Sequence, residues 1–367
     1  MASFVLVVMG PAESKNKFKV DKQAFYDLIR SGQVDNCKIA LEISKALAKE
    51  DKFFVDFNKA VLSARKYNSN DEPFYGNAEF LMFISDGNFG ISNFKQKYLP
   101  AEWYALSELV KKFSIDFYGG DRLPFGFELF DKCIEVTIHL RSDTILGAEI
   151  SNMESIEKYN ASSEKELKIS PDIAFCKKLK SINLYSQAEY IYFPDNLKNL
   201  SSLEDLQIRS CFQGFLLKEL HLKNLHLNLY NLKNSHRNEE STIERLNGVD
   251  QLPETLEKLT INYSAKEPYK EFIRKNLSNL ENLTDLRLFH YDHSSWEIGK
   301  DLSRLKKLKT LCIKYLTDVD LNFLVELPHL EYIEISYENK EKDFDRFQEK
   351  LNKMGSKIKI EMEELPF

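Results

Sequence analysis

Six strings in the second half of the chain share one pattern, L-x-x-[LI]-x-[LI]: LKSINL (179–184), LEDLQI (203–208), LEKLTI (256–261), LTDLRL (283–288), LKTLCI (308–313) and LEYIEI (330–335). Their fourth positions are Ile182, Leu206, Leu259, Leu286, Leu311 and Ile333, with steps of 24, 53, 27, 25 and 22 residues. The 53-residue step is about two units long. Both LLKELHL (216–222) and LKNLHL (222–227) fit inside it, in overlapping registers. Ile358 and Ile360 follow Ile333 and Ile335 by 25 residues and read as a last, degraded copy.

Alternating apolar residues specify a short strand with one face to bury. One such unit cannot bury that face, whereas stacked neighbours can. Before two of the strands, leucines recur three apart: Leu277, Leu280, Leu283 and Leu302, Leu305, Leu308. That spacing predicts a short helix or 3-10 turn on the back of each unit. Pro253 restarts the chain ahead of LEKLTI.

The pattern and its period resemble the leucine-rich repeat, over 166–367. The resemblance implies an α/β fold: a curved solenoid whose parallel strands line a concave face. It also implies a non-catalytic protein-interaction module that recognises a partner protein there. One departure concerns the asparagine usually found three residues after the last strand leucine. Here those positions hold Cys211, Ser264, Tyr291, Leu316 and Glu338, so the turns must satisfy their backbone differently and irregularity is expected.

With 367 residues the chain is long enough for about two domains. Its net charge of −6 does not favour a nucleic-acid partner. No apolar stretch approaches the ~20 residues of a membrane span, and Phe4–Met9 reads as a first strand rather than a signal peptide. The five cysteines (37, 133, 176, 211 and 312) are isolated and odd in number. That usage predicts free thiols and a cytoplasmic setting. The Asn-x-Ser motifs at Asn199 and Asn276 are then chance matches.

Residues 1–125 read as a mainly helical α+β domain. Phe25, Leu28 and Ile29 share a face, Gly32 interrupts, Asp35 caps, and Ile39, Ile43 and Leu47 form a stripe at helical spacing. A further helix is predicted after Pro100, with Leu106, Leu109, Val110 and Phe113 inward, and a strand over 80–84. The run AFYDLIRSGQVDNCKIALEISKAL (24–47) resembles a helical hairpin found ahead of leucine-rich repeats in some bacterial proteins, which implies a bacterial interaction protein. Residues 126–165 read as a joint or solenoid cap. Within them KCIEVTIHL (132–140) is strand-like, and 151–170 is either an exposed linker or an irregular repeat.

No P-loop, G-x-G-x-x-G, G-x-S-x-G or zinc-ligand spacing occurs, so no catalytic, cofactor or metal residue is assigned. The clustered His290, Asp292 and His293 of HYDHSS read as loop polarity, and His221 and His226 as surface residues. The repeats run almost to Phe367, leaving no room for a C-terminal ubiquitin-ligase domain of the kind some bacterial effectors carry. LPAEWYALSELV (99–110) resembles only the opening of an F-box. The alternative to a binding module is an enzyme in the N-terminal domain with the repeats as a targeting arm. The GNFG (87–90) and GGDR (119–122) segments would then be its pocket material.

Candidate partner-binding residues are the strand residues between and just after the leucines: Tyr263, Arg287, Phe289, His290, Lys314, Tyr315, Tyr332 and Tyr337. Two columns are expected across neighbouring strands: Tyr263, His290, Tyr315, Tyr337, and Gln207, Thr260, Arg287, Cys312, Glu334. Aromatic and arginine side chains on a rigid face are what binding hot spots use. The same tyrosines can instead pack over the rim.

Overall fold

The computed structural model describes most of residues 110–337, the strands at 74–94 and 359–363, and isolated positions between 28 and 43. Apart from single residues, 1–27, 44–73, 95–103, 118–128, 230–250, 291–298, 317–323, 338–358 and 364–367 lie outside the description.

The described strands form one 16-stranded sheet. They are β1 (Phe74–Gly76), β2 (Leu81–Ser85), β3 (Asn88–Phe94), β4 (Lys112–Phe117), β5 (Glu135–Leu140), β6 (Thr144–Leu146), β7 (Lys158–Ser163) and β8 (Leu167–Ile169). Then follow β9 (Ser181–Tyr192), β10 (Asp205–Gln213), β11 (Asn224–Asn228), β12 (Lys258–Tyr263), β13 (Asp285–His290), β14 (Thr310–Leu316), β15 (Tyr332–Tyr337) and β16 (Lys359–Glu363). β1, β2 and β3 pair antiparallel. From β3 to β16 the main path is parallel throughout, with β6 and β8 set off to one side. This is a leucine-rich repeat solenoid. Its register aligns Phe113, Val136, Tyr159, Ile182, Leu206, Leu225, Leu259, Leu286, Leu311, Ile333 and Ile360 in one inward row. The described members of that row from Phe113 to Ile333 are buried.

The two overlapping registers between 211 and 255 are now resolved. β11 is LKNLHL, with Leu225 between Leu206 and Leu259. The earlier leucines Leu217 and Leu220 belong to the 3-10 turn that feeds it, bonded Leu220 N–H to Leu217 C=O. The long step thus divides at Leu225.

The parallel ladder begins before residue 166 and crosses residue 125, so the segment expected as a joint or solenoid cap at 126–165 contributes rungs of its own. β5 and β7 are rungs of the same parallel ladder, and β4 precedes them in phase. Phe113, Val136, Tyr159 and Ile182 stand at a constant step of 23 residues. Cutting the chain at 165 would separate β7 from β9 and expose a buried apolar edge on each. The polar 151–170 segment is the irregular repeat, not the linker. The strand expected over 80–84 is observed one residue later, as β2.

The helix expected to carry Phe113 inward is also corrected. Phe113 lies in β4, preceded by a tight turn in which Ser107 N–H donates to Tyr104 C=O. The same three-residue spacing leads into several later strands. Met153 bonds to Ile150 and Ile156 to Met153; Cys176 bonds to Ile173 and Leu179 to Cys176. The leucine series 197–200–203, 277–280–283, 302–305–308 and 324–327–330 repeat it. A single helical turn, Gly299–Leu302, leads into the 302 series, and the 277 series is preceded by a longer helix, α1 (Glu267–Leu277). Its buried residues Tyr269, Phe272, Ile273, Asn276 and Leu277 fall on one face at helical spacing. Arg274 and Lys275 in its last turn suit the negative end of its dipole.

Without the usual asparagine, the repeats are tied at the strand entrance. One carbonyl accepts two successive N–H groups from the next repeat: Glu157 C=O from Lys180 and Ser181, Lys180 C=O from Glu204 and Asp205, Glu204 C=O from Lys223 and Asn224. The pattern continues through Lys223, Glu257, Thr284 and Lys309. The exit side is irregular, as expected: the register shifts between Arg209 and Cys211 and between Ile313 and Leu316.

In the N-terminal segment, the described positions Leu28, Asn36, Ile39, Ala40, Glu42 and Ile43 are helical. The inward face is rotated from the expected stripe. Ala40 is fully buried and Ile43 packs against the core, but Ile39 is 51% exposed. Leu47, Phe25 and Ile29 lie outside the described residues.

Cys133 and Cys176 occupy leucine positions in the turn series and are free and buried. Burial pushes both thiols up to about 12. Cys133 Sγ donates to Glu135 C=O at 3.1 Å and Cys176 Sγ to Ile150 C=O at 3.3 Å. Neither should react with an alkylating reagent at neutral pH in the folded protein, since the thiolate is the nucleophile. Mass-mapped labelling with and without denaturant checks this; rapid native labelling of either would contradict its burial.

Candidate functional site

Strand alternation sends every second side chain out of the core. The ladder is in register, so outward residues line up in columns across the strands. One column runs Ser114, Thr137, Asn160, Asn183, Gln207, His226, Thr260, Arg287, Cys312, Glu334, Glu361. It contains the expected series Gln207, Thr260, Arg287, Cys312, Glu334 and adds His226, which the unresolved register had hidden.

Beside it, toward the strand entrances, stand Lys112, Glu135, Lys158, Ser181, Asp205, Asn224, Lys258, Asp285, Thr310, Tyr332 and Lys359. On the other side Asp116, His139, Ser162, Tyr185 and Arg209 follow one another, and farther along Asn228, Asn262, Phe289 and Lys314 do.

Tyr263, the first member of the expected tyrosine column, is not on this face. Tyr263 follows Leu259 and Ile261 at even spacing, so it points inward and is fully buried. It packs the core and cannot reach a partner. His290 is its ladder neighbour and occupies the same inward-phase position. Tyr337 pairs with Leu316 across the β14 irregularity, not with Tyr315. The side chains of His290, Lys314, Tyr315 and Tyr337 lie outside the described residues. Of the expected set, Arg287, Phe289 and Tyr332 stand at outward positions and are half-buried.

The Arg287 guanidinium is held by Asp285, with Nε donating to Oδ1 at 3.1 Å and Nη2 to Oδ2 at 3.3 Å. That hydrogen bond raises the arginine's pKa further. Cys312 sits in the column between Arg287 and Glu334 yet is only 1% exposed. It therefore offers no accessible thiol.

A second polar cluster centres on His226. Oriented to satisfy its neighbours, Gln207 Oε1 accepts from Arg209 Nη2 at 2.7 Å, Arg209 Nε at 2.8 Å and His226 Nδ1 at 3.1 Å. The proton on Nδ1 leaves Nε2 to accept from Asn262 Nδ2 at 3.4 Å. Burial first, and then the Arg209 charge, lower the His226 pKa, which keeps the ring neutral near pH 7.

Asp116, His139 and Ser162 stand on successive strands. His139 Nδ1 and Ser162 Oγ lie 2.6 Å apart. Asp116 faces Arg141, at 3.7 Å from Nε, while Arg141 also reaches Glu164 at 2.9 Å. No hydrogen bond among the described residues joins Asp116 to His139, so the row lacks the carboxylate that would orient a base.

The pocket material imagined for an N-terminal enzyme fares differently in its two parts. Asn88, Phe89 and Gly90 of GNFG lie in β3 of the sheet, and Gly90 is buried. GGDR, Asp292 and His293 lie outside the described residues. Asn276 of the second Asn-x-Ser motif is 2% exposed, with Oδ1 accepting from Leu252 N–H and Nδ2 donating to Phe272 C=O.

No family model and no curated protein matches the sequence. Among solved structures, the chain is similar to an internalin, InlF, from Listeria monocytogenes, at 12% identity and a TM-score of 0.38 over 83% of this chain and 88% of that one. It is similar to human 5T4, a trophoblast glycoprotein, at 15% identity and 0.35 over 74% and 82%. It is also similar to TLR13, solved in complex with a single-stranded RNA, at 15% identity and 0.41 over 68% and 40%. The repeat assignment stands on the chain's own register, not on these matches.

Proposed function

We propose that this leucine-rich repeat solenoid is a non-catalytic protein-interaction module that reads a partner protein on its concave face. The observation that carries the reading is the long run of outward columns, held in register by a rigid core and uncovered by any other described element. Arg287 and Phe289 on β13 and Tyr332 on β15, with β14 between them, bring a guanidinium and two aromatic rings to that face, the residue types that dominate binding energy. Lys314, the ladder neighbour of Phe289, extends the proposed column onto β14. The free, buried cysteines support a cytoplasmic setting.

The test begins with affinity capture from native lysate by the full chain, followed by titration calorimetry with the recovered partner. Arg287→Ala combined with Tyr332→Ala is expected to weaken binding by about 2 kcal/mol or more, on the order of 30-fold. Both residues are half-buried on the sheet surface, so circular dichroism should stay unchanged. Undiminished affinity would move the site off this face.

A further inference from the structure

We infer that His226 is a proton-operated switch in the surface of the sheet: a proton taken up from solvent turns over the Asn262 side-chain amide and releases the Arg209 guanidinium from Gln207. The switch is a property of the chain alone, so it stands or falls separately from the proposed function.

Its parts lie on three neighbouring strands. β10 supplies Gln207 and Arg209, β11 supplies His226 and β12 supplies Asn262. In the neutral state both ring nitrogens are engaged: Nδ1–H donates to Gln207 Oε1, and Nε2 accepts from Asn262 Nδ2. Two features of this state are unfavourable. Gln207 Oε1 receives three donors, two from Arg209 and one from His226, although a carbonyl oxygen has two lone pairs. Asn262 Oδ1 is buried and accepts from no described residue, and an orphaned acceptor costs stability.

A second proton on the ring resolves both. Nε2 becomes a donor and faces the Asn262 amide nitrogen, donor against donor. Half a turn of the amide exchanges its two ends and brings Oδ1 to accept from Nε2–H. A charge-assisted bond then replaces a neutral one of 3.4 Å. At Gln207 the charged ring is the stronger donor, and its charge also repels Arg209. Arg209 is exposed and can be hydrated, so it is the donor that leaves. The ladder partners of His226 are Gln207 and Thr260, both uncharged. Asp205 and Lys258, which flank Asn224 on the same two strands, oppose each other in sign. Arg287, two strands away on β13, is held by Asp285. Burial and the Arg209 charge both oppose protonation, so the switch acts below the ordinary histidine range. In mild acid an imidazolium and a freed guanidinium then stand side by side in the middle of the face, where a neutral ring and a tethered guanidinium stood.

The experiment is an NMR pH titration of the isotopically labelled full chain, following the His226 ring nitrogens, the Asn262 side-chain amide and the Arg209 Nε–H. All three should move with one midpoint, and Arg209→Gln should raise it. Asn262→Ala separates a switch from a static network. If the amide turns, this variant removes a bond to the charged ring, and the proton affinity of His226 falls about fivefold, the advantage of a charge-assisted over a neutral hydrogen bond. If the amide stays, the variant removes a bond to the neutral ring and proton affinity rises, which would overturn the switch. Unmoved backbone signals in β13 to β15 show that both variants are folded. In the parent protein, an Asn262 amide or an Arg209 signal that does not follow the His226 midpoint overturns the switch whatever the variants do. So does a ring that stays neutral down to the onset of acid unfolding.

Discussion

Tyr159→Ala should destabilise the protein by about 3–5 kcal/mol, the range for removing a fully buried aromatic side chain. Tyr159 is completely buried in β7, aligned with Val136 on one side and Ile182 on the other. It fills the position that leucine fills in later repeats. Were 151–170 an exposed linker, the same substitution would cost within ~0.5 kcal/mol. Urea titration separates the two cases. Each repeat touches only its neighbours, so the damage should be local. Hydrogen exchange should show protection lost first in β5, β7 and β9, with β13 to β15 retaining theirs. A loss under about 1 kcal/mol would take β7 out of the stack.

Asn276→Ala should cost about 1–3 kcal/mol, which is large for a polar residue. The side chain lies at the end of α1 and bridges two segments. Its Oδ1 accepts from Leu252 N–H at 2.6 Å and its Nδ2 donates to Phe272 C=O at 2.9 Å. Leu252 is 3% exposed, so no water replaces the lost acceptor. The cost is that of an orphaned backbone donor, more than of the lost bond. Asn276→Asp, which keeps the acceptor oxygens, should recover part of it if charge burial were the smaller penalty. Thermal or urea unfolding reads both variants, and an Asn276→Ala protein as stable as the parent would mean that the 251–253 segment is held by other contacts.

The later rungs were legible because leucine marks them at regular spacing. The earlier ones were not, because other residues fill the same places. Phe113, Val136 and Tyr159 replace the strand leucine, and Ile150, Met153 and Cys176 replace the turn leucines. Their signal was present as an apolar residue every third position leading into an alternating strand. Over one turn that spacing also fits an α-helix, and so Val110 and Phe113 were assigned to one. The polar content of 151–170 concealed Ile156 and Tyr159 among exposed neighbours.

The candidate site divides along the same lines. The column through Gln207, Thr260, Arg287, Cys312 and Glu334 follows directly from alternation within a known register. His226 was missed because two overlapping registers fitted the sequence around it. Tyr263 was misplaced because one step beyond Asn262 changes the face, so an aromatic residue at the end of the strand went to the core. Cys312 is covered although it stands at an outward position, which periodicity does not encode.

The residues just before the strands alternate in sign across the stack: Glu157, Lys180, Glu204, Lys223, Glu257. Lys180 meets Glu157 at 3.1 Å and Lys223 meets Glu204 at 2.7 Å. Each exposed pair contributes little to stability, but the alternation constrains how such a protein can change length. Deleting a single unit, such as the one that carries Lys180, would set Glu157 beside Glu204. Deleting two adjacent units would set Glu157 beside Lys223 and restore attraction. Shortening or lengthening this part of the array is therefore better tolerated in pairs, so the natural module for duplication or engineering is two repeats of opposite charge rather than one.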